Sequence, residues 1–161
     1  MTRRNPKGRQ RPDYYAKRAR QEHFPARSVY KLQEIQKKFV LMRKGQRVLD
    51  LGCAPGSWAK FAAGIVGPSG RVIGIDQKPV TEKLPGYVSV LNGDVLSLAE
   101  APQQCEAIVG GAVDVVLSDM APSTTGKKDV DAARSWHLSR AALAIAGQVL
   151  APGGAFVCKI F

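Results

Sequence analysis

The chain has 161 residues, enough for a single domain with one substantial core, and contains no apolar run long enough to span a membrane. Its N-terminus is charged and lacks the apolar stretch of a secretion signal. The three cysteines, Cys53, Cys105 and Cys158, are odd in number and scattered, which argues against a disulfide framework and against a zinc site. We therefore expect a reduced, cytoplasmic compartment.

The net charge of +11 comes entirely from the first third of the chain. Residues 1–50 contain 15 Lys or Arg against 4 Asp or Glu, whereas residues 51–161 contain 9 of each sign. A basic segment joined to a neutral domain is typical of proteins that bind nucleic acid. For residues 1–12 alone, a flexible basic tail without a partner is an equally good interpretation.

Two helices are predicted in this basic segment. The first covers Asp13–His23 and ends at Phe24-Pro25, since proline breaks a helix. The second covers Val29–Phe39, with Ser28 as its N-cap and apolar residues at helical spacing.

From Gln46 onward, strand-like and helix-like runs alternate. Strands are predicted at Arg47–Leu51, Arg71–Asp76, Tyr87–Leu91, Val113–Ser118 and Ala155–Ile160. Helices are predicted at Ser57–Val66, Val95–Val109 and Val130–Leu150, with Gly-Pro turns at residues 67–70 and 151–154. This alternation predicts an α/β fold with a mostly parallel sheet and helices on both faces.

Polar residues and a glycine follow the predicted strands at their carboxyl ends, where such sheets bind ligands. These residues are Asp50, Gly52, Asp76, Asp94, Asp119 and Lys159. Each has an ordinary interpretation as a turn residue, but together they predict a site at one edge of the sheet.

The segment Asp50–Trp58, with the sequence DLGCAPGSW, forms a Gly-rich turn between a strand and a helix, which lets a cofactor approach backbone. A dinucleotide fold would carry Gly-x-Gly-x-x-Gly, and the middle glycine that admits a pyrophosphate is absent between Gly52 and Gly56.

Two acids beyond this turn narrow the choice of cofactor. Asp76 is placed to bind ribose hydroxyls, and Asp94 to accept a bond from an adenine amino group. The competing interpretation of Asp94 is a turn-forming residue after Asn92-Gly93. The combination favours S-adenosylmethionine over NAD.

Four segments in register resemble the FtsJ/RrmJ family of RNA ribose 2′-O-methyltransferases. They are Ser28–Leu32 (SVYKL), Asp50–Trp58, Ser118–Pro122 (SDMAP) and Pro152–Lys159 (PGGAFVCK), and the resemblance extends from about Asp13 to the end of the chain. It implies a Rossmann-like methyltransferase fold that binds S-adenosylmethionine. The expected organisation is a tail over residues 1–12 and a methyltransferase domain over 13–161, in which basic helices (13–45) precede the Rossmann-like core (46–161).

The resemblance also implies roles for individual residues. Gly52, Gly56 and Trp58 would form the cofactor loop, Asp76 would hold the ribose and Asp94 the adenine, and Asp119 would lie beside both the cofactor and the reacting centre. Lys31, Asp119 and Lys159 match the first three members of the family's Lys-Asp-Lys-Glu catalytic set.

The chemistry suits these residue types, because a ribose hydroxyl must be aligned with the methyl group and deprotonated. We expect Lys159 to act as the base, since it lies in an apolar strand, and Lys31 to orient or polarise the hydroxyl. Asp119 is assigned mainly to orientation. No thiol chemistry and no metal site are expected.

The fourth catalytic member, a glutamate on a later strand, has no counterpart before Phe161, and the family continues with about one helix and two strands. The expectation is a chain truncated after the fifth strand, because that strand would otherwise be an open apolar edge. The alternative is a naturally short homologue with impaired catalysis.

The resemblance implies that the substrate is a uridine of 23S rRNA in the large ribosomal subunit. We expect a monomer without a membrane partner. A tRNA 2′-O-methyltransferase is the alternative within the same class. An RNA-binding assembly factor that keeps the pocket without turnover, and an NAD-linked oxidoreductase, are alternatives from other classes.

Overall fold

The computed structural model describes Glu22, Phe24 and residues 26–160. The tail predicted over residues 1–12 and nearly all of the helix predicted over Asp13–His23 lie outside these described residues. The first regular element is helix α1 (Val29–Phe39), with the bounds that the sequence predicted. Its residues Val29, Tyr30 and Leu32 are buried.

After α1, strands and helices alternate as predicted. The elements are β1 (Arg47–Leu51), α2 (Ser57–Val66), β2 (Arg71–Asp76), β3 (Val88–Asn92), α3 (Val95–Ala99), α4 (Pro102–Val109), β4 (Val113–Ser118), α5 (Lys128–Val149) and β5 (Leu150–Cys158). The strands form one sheet in the order β3-β2-β1-β4-β5. All four pairings are parallel, which confirms the predicted fold class.

Alternate residues of the central strands fill two separate cores, because successive strand side chains point to opposite faces of a sheet. One core packs the sheet against α1 and α2 and includes Val48, Leu117 and Trp58. The other packs the sheet against α3, α4 and α5 and includes Leu49, Val116 and Ile145. Burial on both faces explains the continuous apolar sequence of β1, β2 and β4.

Strand β3 and helix α5 are shifted by one or two residues from their predicted bounds, and two other elements differ more. The helix predicted over Val95–Val109 is split into α3 and α4, because Ala101 adopts a non-helical conformation before Pro102. The strand predicted over Ala155–Ile160 begins earlier, at Leu150, and ends at Cys158. Leu150 pairs with Val113, and an irregularity in the pairing before Val115 accommodates the Pro-Gly-Gly turn that was expected to separate helix and strand.

The register of the sheet brings the predicted site residues to one edge. Leu51 pairs with Ile75 and Ser118, so β1, β2 and β4 end side by side. The strand order reverses between β1 and β4, and in such sheets that crevice is the usual ligand site.

Among the helices of the described residues, none has the length and apolar character needed to cross a bilayer.

Candidate functional site

The turn after β1 is held close to the neighbouring strand ends by Gly52. Its backbone N–H donates to the carbonyl of Ile75 at 2.8 Å, and its φ of +75° lies in the left-handed region. A Cβ atom at this position would lie 2.4 Å from Cγ of Met120. Glycine is therefore required here both by conformation and by the close approach of the segment after β4.

Gly56 lies at the other end of the turn, as the residue before α2. Its φ is +115°, and a Cβ atom there would lie 2.8 Å from Val80 and 2.9 Å from Glu82. Gly56 thus lets the segment after β2 pack over the turn. Gly56 is not among the residues that line the cofactor pocket, and its predicted role in the cofactor loop stays a prediction.

Asp76 connects the turn to the end of β2. Its carboxylate accepts a hydrogen bond from the backbone N–H of Ala54 at 2.9 Å and another from the N–H of Lys78 at 2.8 Å. A carboxylate has about four acceptor positions. Asp76 therefore keeps acceptor capacity for the hydroxyl groups of a ligand while it fixes the turn.

Asp94 caps the short helix α3. Its side chain accepts from the backbone N–H groups of Leu96 and Ser97 and, at 2.8 Å, from the hydroxyl of Ser97. These bonds, the one from the Ser97 side chain above all, hold the pKa of Asp94 below its ordinary value. The structural role that the sequence offered as the alternative is thus present, and adenine binding stays a prediction.

One pocket of about 330 Å³ brings most of the predicted cofactor residues together. Its lining includes Gly52, Asp76, Asp94 and Asp119. It also includes residues that the sequence did not single out: Ala54, Gln77, Lys78, Gly93, Val95, Leu96, Met120, Ala121 and Leu138. Ala54, Met120 and Ala121 lie in the segments Asp50–Trp58 and Ser118–Pro122, whereas Leu96 and Leu138 come from helices distant in sequence, so their convergence had no local signal.

Asp119 and Lys159 form an ion pair beside this pocket. The Lys159 ammonium donates to Oδ1 of Asp119, and both side chains are less than one-third exposed. Lys159 follows directly after β5, and its backbone N–H donates to the carbonyl of Ser118 at 2.9 Å. The parallel pairing of β4 with β5 therefore carries these two predicted catalytic residues to one place.

Lys31 lies on the exposed side of α1. Its ammonium pairs with Glu34 of the same helix at 3.3 Å, and 69% of its side chain is exposed. One turn earlier, Ser28 borders a small space that Asp119 also borders. Residues three apart on a helix are neighbours. Lys31 thus lies one turn along α1 from a residue that borders this space, and a catalytic role for Lys31 stays a prediction.

Trp58 is buried, with 3% of its surface exposed, in the core formed with α1. Its indole Nε1 has no hydrogen-bond partner among the described residues. The ring borders the same small space as Ser28 and Asp119. Trp58 therefore packs in the core next to the turn, and its direct contact with a cofactor stays a prediction.

Asp50 is the residue that the sequence analysis placed at the edge of the sheet without assigning it a role. It is fully buried, and neither carboxylate oxygen accepts a hydrogen bond from the described residues. Burial, followed by the carboxylates of Asp119 and Asp76, raises its pKa to about 8. The backbone N–H of Ala59 acts in the opposite direction with a smaller effect. The sequence feature that could have drawn attention to Asp50 is a single acid between Leu49 and Leu51 in a buried strand.

The remaining reactive groups have no evident function at this site. Burial, with the carboxylates of Asp50 and Asp76, raises the pKa of the Cys53 thiol, which disfavours a thiolate. Across the part of the chain that the structure describes, no three His, Cys, Asp or Glu side chains form a group that could hold a metal ion.

Comparisons with known proteins point to a methyltransferase family. Residues 24–161 match the model of the FtsJ-like methyltransferase family. The ribosomal RNA large subunit methyltransferase E of Desulforapulum autotrophicum is 54% identical over 156 residues, which cover 97% of this chain and 75% of that protein. The enzyme of the same name from Desulfosudis oleivorans is 55% identical over 157 residues, or 96% of this chain and 73% of that protein.

The fold has a close counterpart among solved structures. A crystal structure assigned to a ribosomal RNA methyltransferase of Plasmodium falciparum superposes with a TM-score of 0.72 at 25% identity, covering 86% of this chain and 79% of that one. The match to the family model extends over most of the sequence, and it includes every predicted site residue from Lys31 to Lys159. The chain therefore belongs to the FtsJ-like methyltransferase family.

Proposed function

We propose that this chain transfers the methyl group of S-adenosyl-L-methionine to a ribose 2′-hydroxyl of 23S ribosomal RNA, at a uridine of the large subunit. The observation that carries the proposal is the Asp119–Lys159 ion pair beside a pocket that Gly52, Asp76 and Asp94 also line. The names of the close relatives support ribosomal RNA as the substrate. We also propose that the reaction takes place in the cytoplasm, where large ribosomal subunits would be available.

The pocket suits this cofactor. Its lining brings three carboxyl groups, those of Asp76, Asp94 and Asp119, to a ligand that carries a positively charged sulfonium and a ribose. Gly52 lets the turn pack closely against Met120, and both residues line the pocket. Asp76 would hold the ribose hydroxyls, and Asp94 the adenine amino group. When bound, S-adenosyl-L-methionine supplies an electrophilic methyl group.

The chain's own residues would position the acceptor and remove its proton. Asp119 lines the pocket and accepts a hydrogen bond from the Lys159 amine, which would face the ribose hydroxyl of the acceptor. A lysine accepts a proton only in its neutral form, so Lys159 would act as the base after releasing its own proton to solvent. Asp119 would orient that amine, and Lys31 would contact the hydroxyl or its neighbouring phosphate from α1.

The basic surface of α1 supports RNA as the partner. Lys31, Lys37 and Lys38 are on this helix, and Arg43 and Lys44 follow it in an exposed position. Cationic side chains that neutralise phosphates make affinity fall steeply with salt. We expect binding to ribosomal RNA to weaken correspondingly between low and moderate salt.

The test is methyl transfer from labelled S-adenosyl-L-methionine to large ribosomal subunits that lack the modification. The parent chain should label a ribose of 23S rRNA. Lys159→Ala should reduce turnover by about 100- to 10,000-fold, the range for loss of a general base. Lys83→Ala, which removes an exposed lysine outside the pocket, is the control and should keep parental activity.

Two outcomes would contradict the proposal. Labelling of transfer RNA but not of ribosomal RNA would favour the alternative substrate. If the parent and Lys159→Ala bind ribosomal RNA equally and neither transfers a methyl group, the chain is an RNA-binding factor rather than an enzyme.

A further inference from the structure

An open groove of about 780 Å³ adjoins the cofactor pocket, and the functions proposed above leave it unassigned. Leu96 and Leu138 line both spaces. The far wall is Pro122-Ser123, which follows Asp119 by three residues. The groove therefore continues from the pocket along the segment that leads away from the candidate catalytic pair.

The loop that forms this wall is fastened to α5. Oδ1 of Asp131 accepts from the backbone N–H of Thr125 at 2.8 Å and from its hydroxyl at 2.9 Å, and Oδ2 accepts from the N–H of Gly126 at 3.1 Å. Arg134 donates to the carbonyl of Ser123 at 3.1 Å. These bonds hold the wall in place, so the groove exists before any ligand enters.

The groove combines an apolar surface with polar groups at its margin. Val130 and Ala133 of α5 continue the apolar surface of the two leucines. Ser123, Asp129, Arg134 and His137 supply the polar groups. A flat aromatic heterocycle with donors and acceptors on its edge matches this arrangement, because unstacked RNA bases pack on arginine or histidine planes and form hydrogen bonds through their edges.

The surrounding charge favours a nucleic acid over other planar ligands. Residues 127–140 carry four Lys or Arg against two Asp. Both aspartates lie in the first turn of α5, where carboxylates complement the helix dipole, and Asp131 is occupied by the loop. Arg134 lines the groove, and Lys127 and Lys128 are exposed beside Asp129, which also lines it. Cations in these positions can neutralise the phosphates on either side of a bound base.

We infer that this groove binds a nucleobase of the RNA strand next to the methylated nucleotide. The inference rests on the proposed function, since it assigns part of the substrate to a surface beside the same site. It makes Ala133, Arg134 and His137 contacts of the RNA rather than of the cofactor.

Two neighbouring alanines of α5 provide the test. Ala133 lines the groove and Ala132 does not, and both are exposed. Ala133→Phe should fill the groove and raise the KM for RNA about tenfold or more, the loss expected when one base cannot stack. It should leave the dissociation constant for S-adenosyl-L-methionine within about twofold, as should Ala132→Phe, which should also keep the parental KM for RNA.

Binding of a ribosomal RNA fragment, measured by fluorescence anisotropy without cofactor, gives a second readout that does not depend on activity. His137→Ala removes a ring from the groove instead of filling it and should also weaken this binding, while thermal unfolding verifies that each variant is folded. Equal RNA binding by Ala133→Phe and Ala132→Phe would overturn the inference, as would a change in cofactor affinity alone. If the parent neither binds nor methylates RNA, the proposed function itself fails.

Discussion

The two sides of the site are built in different ways. On the cofactor side, formed by Gly52, Asp76 and Asp94, the carboxylates accept hydrogen bonds from backbone N–H groups of the turns beside them. On the acceptor side, formed by Asp119 and Lys159, a carboxylate pairs with a cation 40 residues away in sequence. Asp94 is thus held by its own helix start, and Asp76 by a local bond from Lys78 together with one from Ala54, 22 residues away, whereas the Asp119–Lys159 pair depends wholly on the pairing of β4 with β5.

The largest effect that tests this difference is expected on the acceptor side. Asp119→Asn removes the ion pair and should lower turnover about 100- to 1,000-fold, because Lys159 loses the group that positions it. Initial rates with saturating cofactor and RNA measure this effect.

A second ion pair of similar burial provides the control for that substitution. Lys60 and Glu82 are joined at 2.8 Å and are also less than one-third exposed. Glu82→Gln should leave turnover within about threefold, since a partly exposed ion pair contributes little to stability. An equal fall in both variants would mean that the Asp119–Lys159 pair is structural.

Much of the cofactor side could be predicted from the sequence, because its signals are local. Gly52 follows β1 by one residue, and Asp76 is the last residue of β2. Strands β1, β2 and β4 have the predicted bounds, since their apolar runs end at turn residues.

Less of the geometry of the acceptor side could be predicted from the sequence. The direction of the Lys31 side chain depends on Glu34, one turn along the helix, and the start of β5 depends on its pairing with Val113. The lack of hydrogen-bond partners for the Asp50 carboxyl group could not be predicted from the sequence either. A strand pattern predicts that the residue is buried, but only the packed structure reveals that the described residues offer its carboxyl group no hydrogen bond.

A smaller effect is expected from the close approach at Gly52. Gly52→Ala should destabilise the fold by about 1–3 kcal/mol, because alanine is strained at a φ of +75° and its Cβ would displace Met120. Cofactor affinity should fall as well, since Met120 lines the pocket. Denaturant unfolding and equilibrium titration measure the two effects.

Gly64→Ala is the matched control for that substitution. Gly64 lies within α2, and no atom is within 4 Å of the position where its Cβ would be. Alanine there should stabilise the protein by about 0.5–1 kcal/mol through helix propensity. If Gly52→Ala behaves like Gly64→Ala, the turn does not need its glycine.

The effect expected at Asp50 is absent near pH 4 and grows as the pH rises. Burial raises its pKa from 3.8 to about 8, so in the folded chain Asp50 keeps its proton over a range in which the unfolded chain has lost it. Between about pH 4 and pH 8 the unfolded state therefore binds fewer protons, and this residue lowers stability as the pH rises. Asp50→Asn should equal the parent near pH 4 and exceed it by a few kcal/mol at pH 8, since one pKa unit corresponds to about 1.4 kcal/mol.

Urea unfolding of the parent and of Asp50→Asn at several pH values measures this difference. A loss of stability in Asp50→Asn at pH 8 would mean that its carboxylate is charged and stabilised in the folded chain. The expected gain would instead mean that Asp50 is neutral at pH 7 while no ligand is bound. The cofactor side would then owe its negative charge to Asp76 and Asp94, the two acids that local turns hold in place.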